Sequence, residues 1–312
     1  MAKKTATRVS YGDALLELGK RIPDMAVFDA DLAASTMTAV FGKAHPDRHF
    51  NCGIQEQNMI ATAAGYASTG RLVFASSFAM FAVGRAYEII RNSVGYPALN
   101  VKVCATHAGL SVGEDGATHQ YCEDIAIMRS VPNMTVISPA DDAEAYHAIL
   151  SMAEHKGPAY FRLGRLAVPE FNDRETYKFQ LGKGVTLREG GDITLIATGL
   201  MVAETVEAAS VLQSQGIDAR VINIHTIKPI DRDIIVKAAK ETGKILTVEE
   251  HTVIGGLGSA VGDVVLEEHP CTVVKLGVQD VFGYSGEAWT LLRQFGLNAE
   301  GIVNKAKQML NK

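Results

Sequence analysis

Short, largely apolar runs alternate with helix-period segments along most of this 312-residue chain. Such runs occur at residues 25–28, 99–105 and 159–163, whereas segment 78–93 keeps its large apolar side chains near one stripe. Strands without polar alternation are buried on both faces, as in parallel sheets that are covered by helices on either side. The alternation therefore predicts an α/β fold of doubly wound parallel sheets.

The alternation lapses once, between residues 166 and 191. This stretch is polar and contains Pro169, Asn172 and Asp173, a composition typical of a linker. The apolar runs and helical segments resume at residue 193. Because a chain of this length can form two separate cores, the sequence predicts two domains, residues 1–180 and residues 181–312.

Net charge and cysteine content restrict the partners and the cellular compartment expected for the chain. The formal net charge is −5 and no basic run interleaves with aromatic residues, so a nucleic-acid partner is not expected. No apolar stretch reaches the roughly 18 residues of a membrane span, and no apolar core follows the basic start as in a secretory signal. Four scattered cysteines favour free thiols in a reducing compartment. These features predict a cytoplasmic protein without a nucleic-acid or membrane partner.

Residues 51–61 place one carboxylate, that of Glu56, at the start of a helix rich in small residues. The segment leaves an apolar strand and turns at Gly53 before the helix begins. An acid in a first helical turn commonly interacts with the helix dipole, which is a structural role. The alternative is a catalytic acid, and the local sequence fits both.

The loop at residues 107–120 concentrates polar residues and glycines behind a buried strand. It contains His107, His119, two acids and three glycines. Ligands of open α/β sheets bind where loops leave the carboxyl ends of strands, and glycines let a backbone approach a ligand closely. Histidines beside an acid suit proton transfer and hydroxyl recognition near neutral pH. A ligand-binding loop is favoured, and a solvated loop whose acids cap the next helix is the alternative.

Self-contained catalytic motifs are otherwise missing from the sequence. There is no phosphate loop of the Gly-x-x-x-x-Gly-Lys-Ser/Thr type and no Cys/His or His-Glu-x-x-His spacing, so no metal ligand is assigned. The turn at residues 255–261 is similar to a dinucleotide fingerprint, but Val261 stands where the third glycine or alanine belongs. Close packing of a strand against a helix is the favoured interpretation of this turn.

Several short motifs occur together in an order typical of one enzyme family. They lie at residues 6–8 (Ala-Thr-Arg), 29–35, 53–57 (Gly-Ile-Gln-Glu-Gln), 77–81, 106–107 (Thr-His), 112–120 (Val-Gly-Glu-Asp-Gly-Ala-Thr-His-Gln), 227–231 (Ile-Lys-Pro-Ile-Asp) and 249–251 (Glu-Glu-His). With these motifs essentially the whole chain resembles the transketolase family of thiamine diphosphate enzymes. The resemblance implies a pyrimidine-binding domain followed by a transketolase C-terminal domain.

One family motif has no counterpart in the sequence. Transketolases bind the cofactor's diphosphate through Mg²⁺ with a Gly-Asp-Gly followed later by Asn, and this pair is missing here. The resemblance therefore implies the C-terminal subunit of a split transketolase. It would be active only with a separate N-terminal subunit that carries the diphosphate and Mg²⁺ site, in an assembly with two copies of each chain (α2β2).

The resemblance also assigns roles to individual residues. Glu56 would hold the ring nitrogen of the cofactor's aminopyrimidine and exchange a proton with it, and His119 would assist proton transfer at the substrate carbinol. Both are therefore expected to be catalytic. The other expected contacts are Phe78, Phe81 and Asp31 with the cofactor, and Arg8, Ser35, His107, Asp115, His119 and Arg165 with the sugar phosphate.

Two positions leave these assignments open. Arg162 competes with Arg165 for the phosphate, because the alignment through residues 162–165 can slip by a few residues. Many transketolases carry a third aromatic residue three positions after the counterpart of Phe81, where this chain has Gly84. The pocket wall is then weaker here, or other residues complete it.

The reaction implied is transfer of a two-carbon ketol unit from a ketose phosphate to an aldose phosphate. One alternative is a deoxyxylulose-phosphate synthase, in which the counterpart of His107 is commonly Arg. A second is the β subunit of a 2-oxo acid dehydrogenase, which would normally lack the full pattern of residues 107–119. A third is a non-catalytic relative, against which the retention of Glu56, His107 and His119 argues. The sequence leaves the identity of the sugar open.

Overall fold

The computed structural model describes residues 3–311 and contains two main sheets. The strands that begin before residue 180 are β1 (Lys4–Ala6), β2 (Ala26–Asp29), β3 (His49–Asn51), β4 (Val73–Ser76), β5 (Val101–Thr106), β6 (Thr135–Ile137), β7 (Ala159–Leu163) and β8 (Ala167–Pro169). Those that follow are β9 (Val185–Arg188), β10 (Ile193–Ala197), β11 (Ala219–Asn223), β12 (Thr226–Lys228), β13 (Lys244–Thr252) and β14 (Thr272–Val278).

Helices connect these strands in both halves of the chain. The first half contains α1 (Thr7–Arg21), α2 (Ala33–Thr36), α3 (Thr38–Ala44), α4 (Glu56–Ala67), α5 (Tyr87–Ile89), α6 (Asp124–Ser130) and α7 (Asp142–Glu154), with short 3-10 turns at Pro46–Arg48 and Leu110–Val112. The second half contains α8 (Met201–Ser214), α9 (Arg232–Thr242), α10 (Leu257–Glu268), α11 (Ala288–Gln294) and α12 (Ala299–Leu310). No helix among residues 3–311 combines the length and apolar character needed to cross a bilayer.

The sheets confirm the predicted α/β class. In the larger one, β3, β2, β4, β5, β7 and β6 are neighbours in that order and all pairs are parallel. In the smaller one, β14, β13, β10 and β11 form the parallel part. Helices α1 and α7 cover one face of the larger sheet and α4 covers the other, so both faces of its apolar strands are buried.

Each main sheet ends in one antiparallel strand that the apolar pattern does not predict. β9 pairs with β11 in the smaller sheet. β12 follows β11 in sequence, yet it pairs with β6 at the edge of the larger sheet. The second half of the chain thus contributes a strand to the sheet of the first half. The domain boundary at residue 180 stays a prediction from the sequence.

The segment predicted as one helix over residues 78–93 is helical but irregular. Met80–Arg85 and Ile90–Gly95 form π-helical turns on either side of α5. Gly84 lies within the first of them, and a methyl group at Gly84 would lie 3.4 Å from the phenol oxygen of Tyr121. Glycine is a weak helix former, and π-turns of this kind are frequent at functional sites. The aromatic ring of Tyr121 thereby packs beside Gly84, the position at which the sequence lacks a third aromatic residue.

Candidate active site

A tight turn delivers Glu56 into the protein interior. The side-chain oxygen of Asn51 accepts hydrogen bonds from the backbone N–H groups of Gly53 (2.9 Å) and Asp31 (3.0 Å), which joins the ends of two neighbouring strands. Gly53 has a φ of +71°, a conformation that glycine adopts without strain. Helix α4 then begins at Glu56, whose side chain is only 2% exposed. A carboxylate so deeply buried differs from the solvated helix-start charge that the structural interpretation expects.

Glu56 lines a pocket of about 230 Å³. The walls are mostly apolar and come from the ends of β2 and α4 and from the first π-turn. The lining residues are Ala30, Asp31, Leu32, Ile54, Glu56, Phe81 and Arg85. A flat heterocycle with one hydrogen-bonding ring nitrogen matches this combination of apolar walls and a single buried carboxylate.

Arg85 is a site residue that the sequence interpretation did not include. Its Nη1 donates a hydrogen bond to Glu56 Oε2 at 3.0 Å, and its guanidinium lies 5.3 Å from the ring centroid of Phe81. Its side chain is 49% exposed, so the ion pair joins a solvated cation to a buried anion. Because 29 residues separate the two partners, no local pattern indicates the pair.

An aromatic row connects the pocket with the loop at residues 107–120. The rings of Phe78 and Phe81 are 6.2 Å apart and nearly parallel. Phe78 stacks on the imidazole of His107 at 3.9 Å, and the ring of Phe81 meets His119 edge-on at 5.1 Å. The two phenylalanines and the two histidines that the sequence singled out are therefore neighbours.

Three basic side chains come together where β5, α1 and β7 meet. Burial, together with the positive charges of Arg8 and Arg165, lowers the pKa of His107 to about 3. The pKa of Arg8 is also lowered, by burial and by its proximity to Arg165. Cations that disfavour each other's charge form a site that an anion would stabilise. His107 is a neutral hydrogen-bonding group here, and its Nδ1 lies 2.9 Å from Thr106 Oγ1.

Ser35 joins this basic cluster through its backbone. Arg8 Nη1 donates a 2.7 Å hydrogen bond to the carbonyl oxygen of Ser35, which follows β2 in the short helix α2. The Ser35 side chain is partly exposed. The contact orients the guanidinium of Arg8 and leaves the Ser35 hydroxyl available to a ligand.

The two candidate phosphate-binding arginines differ in their surroundings. Arg162 is buried, and its Nε donates to Asp124 Oδ2 at 2.9 Å while its Nη2 donates to the carbonyl oxygen of Glu250 at 2.7 Å. Arg165 is 38% exposed and pairs with the exposed Glu114 at 2.9 Å. Arg165 also donates to the carbonyl of Val112. The internal contacts of Arg162 engage most of its guanidinium, which favours Arg165 as the anion ligand.

The remaining candidates lie at the rim. Asp115 is exposed, and the structure does not bring it into the aromatic row or the basic cluster. His119 is partly buried, with Nδ1 2.9 Å from Thr118 Oγ1. Asp31 lines the pocket in a left-handed conformation (φ 64°), and its carboxylate accepts a 3.3 Å hydrogen bond from Asn51.

The turn at residues 255–261 holds a carboxylate of the protein itself. Glu249 accepts hydrogen bonds from the N–H groups of Leu257 (2.6 Å) and Gly258 (2.8 Å) at the start of α10. Those amides are the ones that a dinucleotide phosphate would need. The contact supports close packing of strand and helix as the reason for these glycines.

Comparisons with known proteins show the family of this chain. The transketolase pyrimidine-binding domain matches residues 3–170 and the transketolase C-terminal domain matches residues 182–302. The chain belongs to the transketolase family. It is 50% identical to a transketolase C-terminal section from Methanocaldococcus jannaschii, over 98% of this chain and 96% of that protein.

Two further relatives are similar over nearly their full length. A 6-deoxy-6-sulfo-D-fructose transketolase subunit from Clostridium sp. (strain MSTE9) is 41% identical, over 97% of this chain and 94% of that protein. A solved structure described as a split gene transketolase, inactive β4 tetramer, has a TM-score of 0.91 and 48% identity, over 99% of each chain. The chain therefore spans the same two domains as the C-terminal section of a split transketolase.

Proposed function

We propose that this chain is the C-terminal subunit of a two-chain transketolase. With a separate N-terminal subunit, thiamine diphosphate and Mg²⁺, it would transfer a two-carbon ketol unit from a ketose phosphate to an aldose phosphate. The observation that carries the proposal is the position of Glu56. Its buried carboxylate lines an apolar pocket that an aromatic row connects with three basic side chains.

The pocket fits the pyrimidine end of the proposed cofactor. The side chain of Phe81 offers a flat face, Leu32 and Ile54 complete an apolar wall, and Glu56 can hold a ring nitrogen and exchange a proton with it. When bound, thiamine diphosphate supplies the carbanion chemistry that side chains lack. Glu56 would position the pyrimidine, and the apolar walls would exclude water from the proton that it shares.

The sugar phosphate would lie between the aromatic row and the basic cluster. Arg8 and Arg165 would bind the phosphate, because planar guanidinium groups suit tetrahedral oxyanions. Ser35 and neutral His107 would donate or accept hydrogen bonds beside it. Asp115 and His119 would contact the sugar hydroxyls, and His119 would move the carbinol proton.

The partner subunit would supply the diphosphate and Mg²⁺ site, whose Gly-Asp-Gly motif this sequence lacks. Ile54 supports a covering partner, because it lines the pocket mouth and is 72% exposed in this chain. The related split gene transketolase is described as an inactive β4 tetramer. That description supports self-association without activity for this chain alone, and an α2β2 assembly with the partner. Free thiols at all four cysteines support the proposed cytoplasmic location.

Reconstitution tests the proposal. The chain is mixed with its candidate N-terminal subunit, thiamine diphosphate and Mg²⁺, and cleavage of xylulose 5-phosphate is measured with ribose 5-phosphate as acceptor. We expect turnover from the mixture and none from either chain. A Glu56→Gln variant should lose at least about 100-fold in kcat, since general acid–base groups contribute about that much. The exposed Glu88 provides the matched control, Glu88→Gln, which should retain activity.

Three results would overturn parts of the proposal. Turnover by this chain alone would refute the dependence on a partner. Full activity of Glu56→Gln would refute the proposed role of the carboxylate. The Clostridium relative is named for a sulfonated sugar, and a sulfonate is also a tetrahedral oxyanion. Turnover of 6-deoxy-6-sulfo-D-fructose without turnover of any sugar phosphate would therefore replace the proposed substrate class.

A further inference from the structure

The loop at residues 107–120 packs against the second half of the chain. Gly109, Gly113 and Gly116 all have positive φ, at +81°, +85° and +76°. A methyl group at Gly109 would lie 2.5 Å from Glu250 Oε1, and one at Gly116 would lie 2.5 Å from the Ser285 hydroxyl oxygen. The glycines thus permit close contact with the C-terminal domain, rather than the close contact with a ligand that their sequence suggests.

Glu250 holds the middle of this loop. It lies on β13 and is 4% exposed. Its Oε1 accepts a 2.6 Å hydrogen bond from the backbone N–H of Ser111, and its other oxygen lies 3.8 Å from Arg162 Nη1. A backbone hydrogen bond to a buried carboxylate is charge-assisted and stronger than one between neutral groups.

Arg162 and Asp124 fix the position of Glu250 in turn. Arg162 donates to the Glu250 carbonyl at 2.7 Å and to the fully buried Asp124 at 2.9 Å. Tyr160 donates to the same Asp124 carboxylate at 2.6 Å. The anchor of the loop is therefore part of a buried network that includes strand β7 of the larger sheet, helix α6 and strand β13 of the smaller sheet.

Gln120 holds the far end of the loop in a similar way. Its Nε2 donates to the carbonyl oxygens of Gly113 at 3.1 Å and Tyr284 at 3.0 Å. Tyr284 belongs to the segment before α11, which packs on the turn Leu110–Val112. The centre and the far end of the loop are thereby tied to the C-terminal domain.

We infer that Glu250 is a positioning residue, which acts through the Ser111 amide to place His107, Asp115 and His119 for the substrate. The C-terminal domain then shapes the sugar-binding surface without contacting the sugar. The part of this inference that concerns turnover rests on the proposed function. The part that concerns the loop does not, because it follows from contacts within this chain.

Hydrogen exchange on the isolated full-length chain tests the loop. In Glu250→Gln an amide faces Arg162 in place of a carboxylate, and the Ser111 hydrogen bond loses its charge. Exchange of the peptide 107–120 should accelerate at least about tenfold, as expected for loss of one charge-assisted bond. Gly109→Ala, which pushes the loop from Glu250 without altering any charge, should do the same. Glu249→Gln is the matched control, since Glu249 is equally buried on β13 but binds amides of α10.

Kinetics with the partner subunit separate positioning from general destabilisation. Glu250→Gln should raise the donor KM and lower kcat, so that kcat/KM falls by about 10–100-fold. A displacement of the substrate-binding groups by about 1 Å has a cost of that order. Its affinity for thiamine diphosphate should stay unchanged, since Glu56 lies on α4 and Phe81 in the first π-turn, outside the loop that Glu250 holds. Glu249→Gln should leave the donor KM unchanged.

Two outcomes would overturn the inference. One is unchanged exchange of peptide 107–120 in both Glu250→Gln and Gly109→Ala. The other is an equal acceleration in Glu249→Gln, which would indicate global loosening of the domain. If the wild-type subunits together show no turnover, the proposed function fails, and the exchange measurements decide the role of Glu250 alone.

Discussion

Arg85 places its guanidinium 3.0 Å from the buried carboxylate of Glu56 and over the ring of Phe81. One oxygen of the carboxylate is therefore engaged before any ligand enters the pocket. An incoming heterocycle that needs this carboxylate would compete with Arg85 or share the carboxylate with it. The pair links the stability of the isolated chain to the chemistry of the assembled site.

Replacement of Arg85 by methionine should destabilise the isolated chain. The buried carboxylate of Glu56 would lose its counterion, and the free energy of unfolding should fall by about 1–2 kcal/mol, less than for a fully buried pair. Urea unfolding measures the change. Arg91→Met is the control, because Arg91 is exposed and its side chain donates to the neighbouring Asn92. An equal loss in both variants would show that the ion pair contributes nothing.

The buried imidazole of His107 should make stability depend on pH. Its pKa is lowered from 6.5 to about 3, so below pH 6.5 the unfolded chain binds a proton that the folded chain does not. The free energy of unfolding should therefore fall as the pH is lowered from 6.5 towards 3, by about 2–4 kcal/mol from this group. Above pH 6.5 the group should contribute no pH dependence.

The His107→Gln variant isolates this contribution. His225 and His251 have pKa values that burial lowers to about 4, so they add to the pH dependence in the same direction. The difference between wild type and variant, from urea unfolding at several pH values, is the quantity of interest. A constant difference between pH 4 and pH 7 would contradict the prediction.

Arg162 should be essential for folding stability. Its replacement by methionine leaves the fully buried Asp124 without its cation, and loss of one partner of such a pair costs about 3–5 kcal/mol. Thermal and urea unfolding of the isolated chain measure the loss. If the variant does not fold, Arg162→Lys, which keeps the charge but not the planar contacts, should show a smaller loss. Unchanged stability of both variants would refute the structural role.

Arg165 should matter for substrate rather than for folding. With the partner subunit, Arg165→Met should raise the donor KM about 10–100-fold, as expected for loss of a hydrogen bond between charged groups. Its unfolding free energy should change by less than about 0.5 kcal/mol, because the exposed pair with Glu114 contributes little. Arg232→Met on α9 is the control and should have the wild-type KM. If Arg165→Met leaves the KM for a phosphorylated donor unchanged, Arg165 does not bind the phosphate.

Local periodicity predicts much of the fold, because helices and buried strands impose it residue by residue. The apolar run at residues 159–163 has the bounds of β7, and the runs at residues 25–28 and 99–105 overlap β2 and β5. A three-residue strand such as β12 is too short to show a periodic pattern, and its pairing partner lies far away in the sequence. The π-turns also escape prediction, since their apolar stripe is similar to that of an ordinary helix.

The features of the site also differ in whether the sequence predicts them. The aromatic and histidine positions stand in recognisable motifs, and the structure brings four of them together. The contacts that hold the site depend on residues far apart in sequence. Arg85 and Glu56 are 29 positions apart, and Ser111 and Glu250 are 139 apart. Such pairs arise from the topology of the sheets, which the sequence pattern alone does not specify.

The pairing of β12 with β6 has a consequence for how this chain can be divided. A fragment that ends near residue 180 would lack the edge strand of its own sheet, and the row of backbone groups on β6 would face solvent. It would also lose Lys228, whose ammonium donates to the carbonyls of Arg129 at 2.8 Å and Val131 at 2.6 Å. An open sheet edge readily recruits a strand from another molecule. Exchange of whole domains between relatives would therefore have to carry residues 226–228 with the first domain, although they are encoded within the second.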